Sequence, residues 1–80
     1  MKIQVLGTGC AKCKKLMAAT AQAVQELGLQ AEVEKVEDVR EIAKFRVLAT
    51  PALALDGQVK AAGKSLNVAQ IKALLQAAGA

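Results

Sequence analysis

Histidine, tryptophan and tryptophan-like bulk are missing from this 80-residue chain: it has no His, Trp or Tyr, and Phe45 is its sole aromatic. Without aromatics to stack on bases, and without a dense basic stripe, the chain has no nucleic-acid-binding signature. No stretch approaches the roughly 20 apolar residues that span a bilayer. Acid is absent from the first quarter, where Lys2, Lys12, Lys14 and Lys15 carry all the charge; Glu26 is the first carboxylate. Proline occurs once, at Pro51, and cysteine twice, at Cys10 and Cys13. With no histidine and two thiols, the chain offers two of the four ligands that a closed zinc site needs.

What remains is aliphatic. Hydrophobic residues make up 54% of the chain, but many are alanines that bury little area, so Leu, Val and Ile must form the core, with Phe45 expected to anchor it. A chain of this length makes one domain, residues 1–80, which buries only about 60% of its unfolded surface. Met1-Lys2 leads straight into a strand-like run with no leader pattern, so the expected location is the cytoplasm. There a lone dithiol is more often catalytic or metal-binding than structural. The net charge of +4 is mild and reads first as a solvated surface; the lysines near the cysteines also set a positive field suited to thiolate formation or an acidic partner.

The hydrophobic pattern alternates in period along the chain. Ile3, Val5 and Leu6 form a short strand closed by Gly7 and Gly9. Cys13, Leu16, Met17, Thr20, Val24 and Leu27 recur at helical spacing, which predicts a helix from about Cys10 to Leu27, with Gly28 as its left-handed cap. Residues 30–36 alternate as a strand. Asp38 and Glu41 have capping-box spacing and open a short helix to about Lys44, with Val39, Ile42 and Ala43 expected to face inward. Val47 and Leu48 lead to Thr50-Pro51. Then come Ala52–Leu55, an Asp56-Gly57 turn and a return strand from Gln58, a hairpin signal because that turn needs positive φ. Asn67 and Gln70 open a last helix whose inner face carries Val68, Ile71, Leu74, Leu75 and Ala78. The order β-α-β-α-β-β-α, with two parallel-type crossovers followed by a hairpin, gives an α/β fold, a four-stranded mixed sheet flanked by helices.

The chemistry lies in Cys10-Ala11-Lys12-Cys13. Cys10 falls at the start of the long helix, where free backbone N–H groups, the helix dipole and nearby lysines favour the thiolate. Such surroundings lower a thiol from about 8.5 to roughly 3.5–7.5. Cys10 is therefore the expected nucleophile. Cys13, one turn deeper on the apolar face, is placed to resolve a mixed disulfide and leave a Cys10–Cys13 bond. A structural staple is the weakest alternative, since so short a loop contributes only about 2 kcal/mol against nearly 5 for a loop of 100 residues. Soft-metal binding, such as Cu(I) on two thiolates, is the serious one, together with a redox sensor that does not turn over. Gly7-Thr8-Gly9-Cys10-Ala11-Lys12-Cys13 is similar to the loop of the heavy-metal-associated copper chaperones, Gly-Met-x-Cys-x-x-Cys. Yet Thr8 stands where those have methionine, and their β-α-β-β-α-β order ends in a strand.

Pro51 alone says little, as only about 5–6% of X–Pro bonds in folded proteins are cis. With the upstream cysteine pair, Val47-Leu48-Ala49-Thr50-Pro51-Ala52-Leu53, and Asp56-Gly57 before a strand ending at Gly63, the chain resembles the thioredoxin superfamily. It looks most like its small, roughly eighty-residue members, the redox-active disulfide proteins. That resemblance implies a thioredoxin-like fold, a cis bond at Thr50–Pro51, Thr50 as a substrate-docking position, and Pro51 as the residue that keeps metals off the dithiol. It implies a monomeric dithiol–disulfide oxidoreductase with no cofactor beyond the disulfide itself. The substrate would be a disulfide-containing protein or a small-molecule thiol, the electron donor of the thioredoxin-reductase type, with no nucleic acid or membrane involved. Lys12 and Lys14, with Lys15, would tune Cys10 or face a partner. The chain departs from typical thioredoxins in three ways: Gly9 replaces the aromatic before the first cysteine, Ala11-Lys12 replaces Gly-Pro, and strand Ile3–Leu6 offers no buried acid. No glutathione-binding signature is visible beyond Thr50-Pro51. These departures point to a pared-down, specialised relative.

Overall fold

The computed structural model of the chain describes residues 1–47 and 49–79, so Leu48, on the approach to Thr50-Pro51, lies outside the described residues. The elements run β1 (Lys2–Leu6), α1 (Ala11–Leu27), β2 (Glu32–Val36), α2 (Val39–Lys44), β3 (Ala52–Leu55), β4 (Gln58–Ala62) and α3 (Val68–Ala77). In space the strands lie in the order β2-β1-β3-β4. The 17-residue helix α1 is long enough to carry the chain back to the starting edge, so β1 and β2 pair in parallel, with Val5 opposite Lys35. β3 runs antiparallel to β1, so the connection through α2 is not the second parallel crossover expected from the element order, and β4 is antiparallel to β3. The hairpin turn is the one its residues require, with Asp56 at φ 49° and Gly57 at φ 86°.

Strand alternation sorts the core into two layers. Ile3 and Val5 of β1, with Leu53 and Leu55 of β3, meet Leu16 and Ala23 of α1 and Ile71 and Leu75 of α3. The other face carries a smaller cluster, Leu6, Val36 and Ala52 under Ile42 of α2, with Phe45 and Val47 against it. The fold is thus α/β, a four-stranded mixed sheet with α1 and α3 on one side and α2 on the other. Phe45 anchors only the minor layer. Thr20, buried on α1, is satisfied by donating its hydroxyl to the Leu16 carbonyl at 2.7 Å.

Five boundaries and faces depart from the sequence reading, one of them Ala78, which is the exposed C-cap of α3 and not part of its inner face. α1 begins at Ala11, and Cys10 is its N-cap. β2 begins at Glu32, where its N–H reaches the Met1 carbonyl and the ladder starts. α2 has six residues, fewer than two turns, so only Ile42 reaches the sheet; Val39 is 68% exposed and Ala43 is exposed as well. Asp38 caps α2 alone, accepting from the Arg40 N–H, while Glu41 turns to Lys44.

These directions bring one set of ends together. The C-terminal ends of β1, β2 and β4 and the N-terminal end of β3 share one edge of the sheet. That edge carries the Gly7–Cys10 loop, residues 49–51, and Gly63.

Candidate active site

β1 delivers the chain to the site edge at Gly7, whose N–H bonds to the Val36 carbonyl at 2.9 Å. Gly9 follows in a left-handed conformation, φ 90°, a turn that suits glycine and swings the chain into α1. Cys10 caps the helix: the Cys13 N–H donates to Cys10 Sγ at 3.2 Å, and the Lys14 N–H to the Cys10 carbonyl at 3.0 Å. A sulfur at this position takes the place that Ser, Asp or Asn oxygens usually fill. The two cysteines, with Cα atoms 5.0 Å apart, form a disulfide.

The pair is asymmetric. Cys10 is exposed, whereas Cys13 is 6% exposed and faces the sheet. Gly7 makes room for it: a Cβ at Gly7 would collide with Cys13 Sγ, sit 3.0 Å from Cys13 Cβ, and lie 3.9 Å from Pro51 Cα. Gly7 therefore lies between the inner sulfur and the proline. The Thr50–Pro51 peptide bond is cis; Pro51 is buried and Thr50 is exposed. On its far side the Pro51 carbonyl accepts from the Gly63 N–H at 2.8 Å, and a Cβ at Gly63 would come within 3.0 Å of Ala49 Cβ. Across the site edge the order is dithiol loop, Thr50–Pro51, Gly63.

Cys10, Cys13, Thr50 and Pro51 thus meet at one edge, though Thr50 lies some forty residues downstream of the pair. Lys12 and Lys14 are exposed on the first turns of α1, and neither forms an ion pair among the described residues. The sequence marks Gly7 and Gly63 as strand terminators. The recurrence of glycine at both ends of the dithiol loop and just past the hairpin was the available signal, but only proximity shows what each one clears.

A cavity of about 260 Å³ lies on the other side of the inner cysteine, between α1 and β2, bounded by Val5, Cys13, Met17 and Lys35 among others. Val5 stands on β1 beside it, in keeping with the absence of an acid on that strand. Two lysines line it instead, Lys14 of α1 and Lys35 of β2, and the Lys35 ammonium pairs with Glu37 at 3.4 Å. Glu37 in turn reaches the dithiol loop, its Oε2 3.5 Å from where a Gly9 Cβ would stand. Neither Lys35 nor Glu37 is singled out by the sequence, although β2 alternation puts Lys35 on the same face as Val33. Among the described residues, no third His, Cys, Asp or Glu joins the cysteines in a metal-ligating group.

Comparison with known proteins agrees with this geometry. A family model described as a thioredoxin domain matches residues 1–76. A thioredoxin of Methanothermobacter thermautotrophicus is 43% identical over 75 residues, covering 94% of this chain and 97% of that protein. A thioredoxin of Methanocaldococcus jannaschii is 44% identical over 70 residues, covering 88% of this chain and 80% of that protein. A match of this extent, on a chain whose two cysteines close into a disulfide at a helix head, means that the protein belongs to the thioredoxin family and is a dithiol–disulfide oxidoreductase.

Proposed function

We propose that the protein reduces disulfides as a cytoplasmic, monomeric, single-domain thioredoxin, with Cys10 as nucleophile, Cys13 as resolving thiol and the Thr50-Pro51 loop as the docking site for the substrate chain. The asymmetry of the pair carries this reading, since Cys10 is exposed and Cys13 is sealed beneath Gly7. A bulky disulfide can reach only the outer sulfur. In the reduced protein, Cys10 thiolate attacks one substrate sulfur, forming a mixed disulfide and expelling the other sulfur as thiolate. Cys13, as thiolate, then attacks Cys10 Sγ, releases the second substrate thiolate and closes the Cys10–Cys13 bond. Two electrons pass to the substrate.

Cys10 is prepared for this by its place as N-cap. The Cys13 N–H aimed at its sulfur, and the positive end of α1, stabilise negative charge there. Thr50 is exposed at the dithiol end of the sheet, where an extended substrate can lie, and Pro51 has no N–H to compete. The chemistry uses no cofactor beyond the disulfide. A thioredoxin-reductase-type donor returns the electrons, and the substrates are disulfide-containing proteins or small-molecule thiols in their oxidised form. No helix is long and apolar enough to cross a membrane among the described residues.

Single-cysteine variants test the roles. Cys13→Ser should accumulate a covalent mixed disulfide through Cys10 when mixed with an oxidised protein substrate, visible by intact-mass spectrometry. Cys10→Ser should accumulate little. Equal trapping by the two variants would overturn the assignment.

A further inference from the structure

Charge is distributed unevenly around the docking edge. Lys2, Lys35, Lys44 and Lys72 form ion pairs with Glu34, Glu37, Glu41 and Glu26. Lys12, Lys14, Lys15, Arg40, Arg46, Lys60 and Lys64 have no carboxylate partner among the described residues and are exposed; of these, Lys12 and Lys64 flank the Thr50–Pro51 loop in the strand order. Lys12 is the second residue of α1, directly between the cysteines. Lys64 follows Gly63, the residue bonded to the Pro51 carbonyl. Because the strands run β2-β1-β3-β4, the Thr50–Pro51 loop lies between the dithiol loop, which bears Lys12, and the Gly63-Lys64 segment. A chain laid along Thr50 would have a free cation on either side.

The carboxylates of this edge are Glu37 and Asp38, and they lie at the end of β2, beyond the dithiol and away from Thr50. Both are engaged, Glu37 with Lys35 and Asp38 with the Arg40 N–H. Helix stability does not account for Lys12 either. The first turn of α1 holds no acid, and a lysine there opposes the helix dipole. Its charge is left for the Cys10 thiolate beside it and for a partner outside the chain.

We infer that the docking face selects disulfides flanked by carboxylates, with Lys12 and Lys64 supplying the complementary charge. The inference rests on the reading of Thr50-Pro51 as the docking site. Complementary charge of this kind acts mainly on the rate of encounter and is weakened by salt.

Three aliphatic disulfides of similar size provide the test: 3,3′-dithiodipropionate (anionic), bis(2-hydroxyethyl) disulfide (neutral) and cystamine (cationic). Their rate constants with the reduced protein are measured at neutral pH and compared with those of reduced dithiothreitol, which corrects for leaving group and thiolate charge. At an ionic strength of about 0.01 M, the anionic-to-cationic ratio should exceed the dithiothreitol ratio by about tenfold. It should fall to the dithiothreitol ratio near 1 M salt, where the screening length is about 3 Å. A Lys12→Gln, Lys64→Gln double variant should lose most of the preference. Lys2→Gln, which removes charge at the opposite end of β1, should keep it. A ratio equal to that of dithiothreitol, or an equal loss in Lys2→Gln, would overturn the inference while leaving the oxidoreductase reading intact. Failure to reduce any of the three would overturn both.

Discussion

Gly7 is the residue on which the position of the inner cysteine depends. Its φ is not left-handed, so any L residue could adopt its backbone; what forbids a side chain is the Cys13 sulfur filling the space. Gly7→Ala is an overpacking change in a buried position, and such changes cost typically 1–3 kcal/mol. The variant should unfold at lower urea concentration, and, because Cys13 is the group displaced, its mixed disulfide with substrate should resolve more slowly. Urea titration and single-turnover release check the two effects separately, and an unchanged midpoint would show that α1 moves aside without cost. The recurrence of glycine at Gly7 and Gly9 marks a turn but not this clearance. Cys10 and Cys13 were legible because their chemistry and spacing are local, whereas the clearance at Gly7 depends on a strand and a helix meeting. The same holds for Gly63, whose neighbour Ala49 lies fourteen residues earlier. Val39 shows the converse: its periodicity pointed inward, but a helix of six residues does not cover enough sheet to bury it.

Each helix is started by a side-chain cap at its N-terminus: Cys10 for α1, Asp38 for α2, Asn67 for α3. Two of the three are ordinary stabilising devices and one is also a sulfur of the disulfide. The α3 cap is reciprocal, with Asn67 Oδ1 accepting from the Gln70 N–H at 2.8 Å and Gln70 Oε1 from the Asn67 N–H at 3.0 Å. Asn67→Ala should lower stability by about 1 kcal/mol, read as a shift in the urea midpoint with unchanged slope. Because α3 supplies Ile71 and Leu75 to the major core, a much smaller loss would mean that tertiary packing alone fixes where α3 begins. The order of elements and the hairpin were legible because they follow from period changes and from Asp56-Gly57. The sheet order was not, since β3 inserts beside β1 through contacts with no local signature. Nor was the irregularity in β3–β4 pairing, where Leu53 faces Ala61 but Ala54 faces Val59, leaving Lys60 as the extra residue of an edge strand.

On the scale of the whole molecule, the larger core joins α1 and α3 over one face of the sheet, and a surface ion pair ties the same two helices. Lys72 of α3 donates to Glu26 Oε1 at 2.9 Å, and Gln22 donates to Glu26 Oε2 at 2.7 Å. The hydrogen bond from Lys72, then that from Gln22 and the lysine charge, hold the Glu26 carboxyl below its ordinary value of 4.5. A carboxyl whose value is lower in the folded state stabilises that state at every pH above the unfolded value. The contribution declines as pH falls below 4.5 and through the folded value, where both states become protonated. Both partners are substantially exposed, so the effect is small and weakened by salt. Glu26→Gln keeps the length and a hydrogen-bonding oxygen while removing the charge. At low salt its melting temperature should lie slightly below that of the parent near neutral pH, and the two should converge as pH falls below 4.5 and the Glu26 carboxyl takes up its proton in the folded state. Calorimetric scans between these limits measure the difference directly. A gap that persists undiminished at the acid end would assign the role of Glu26 to packing across α1 and α3 instead of to its charge.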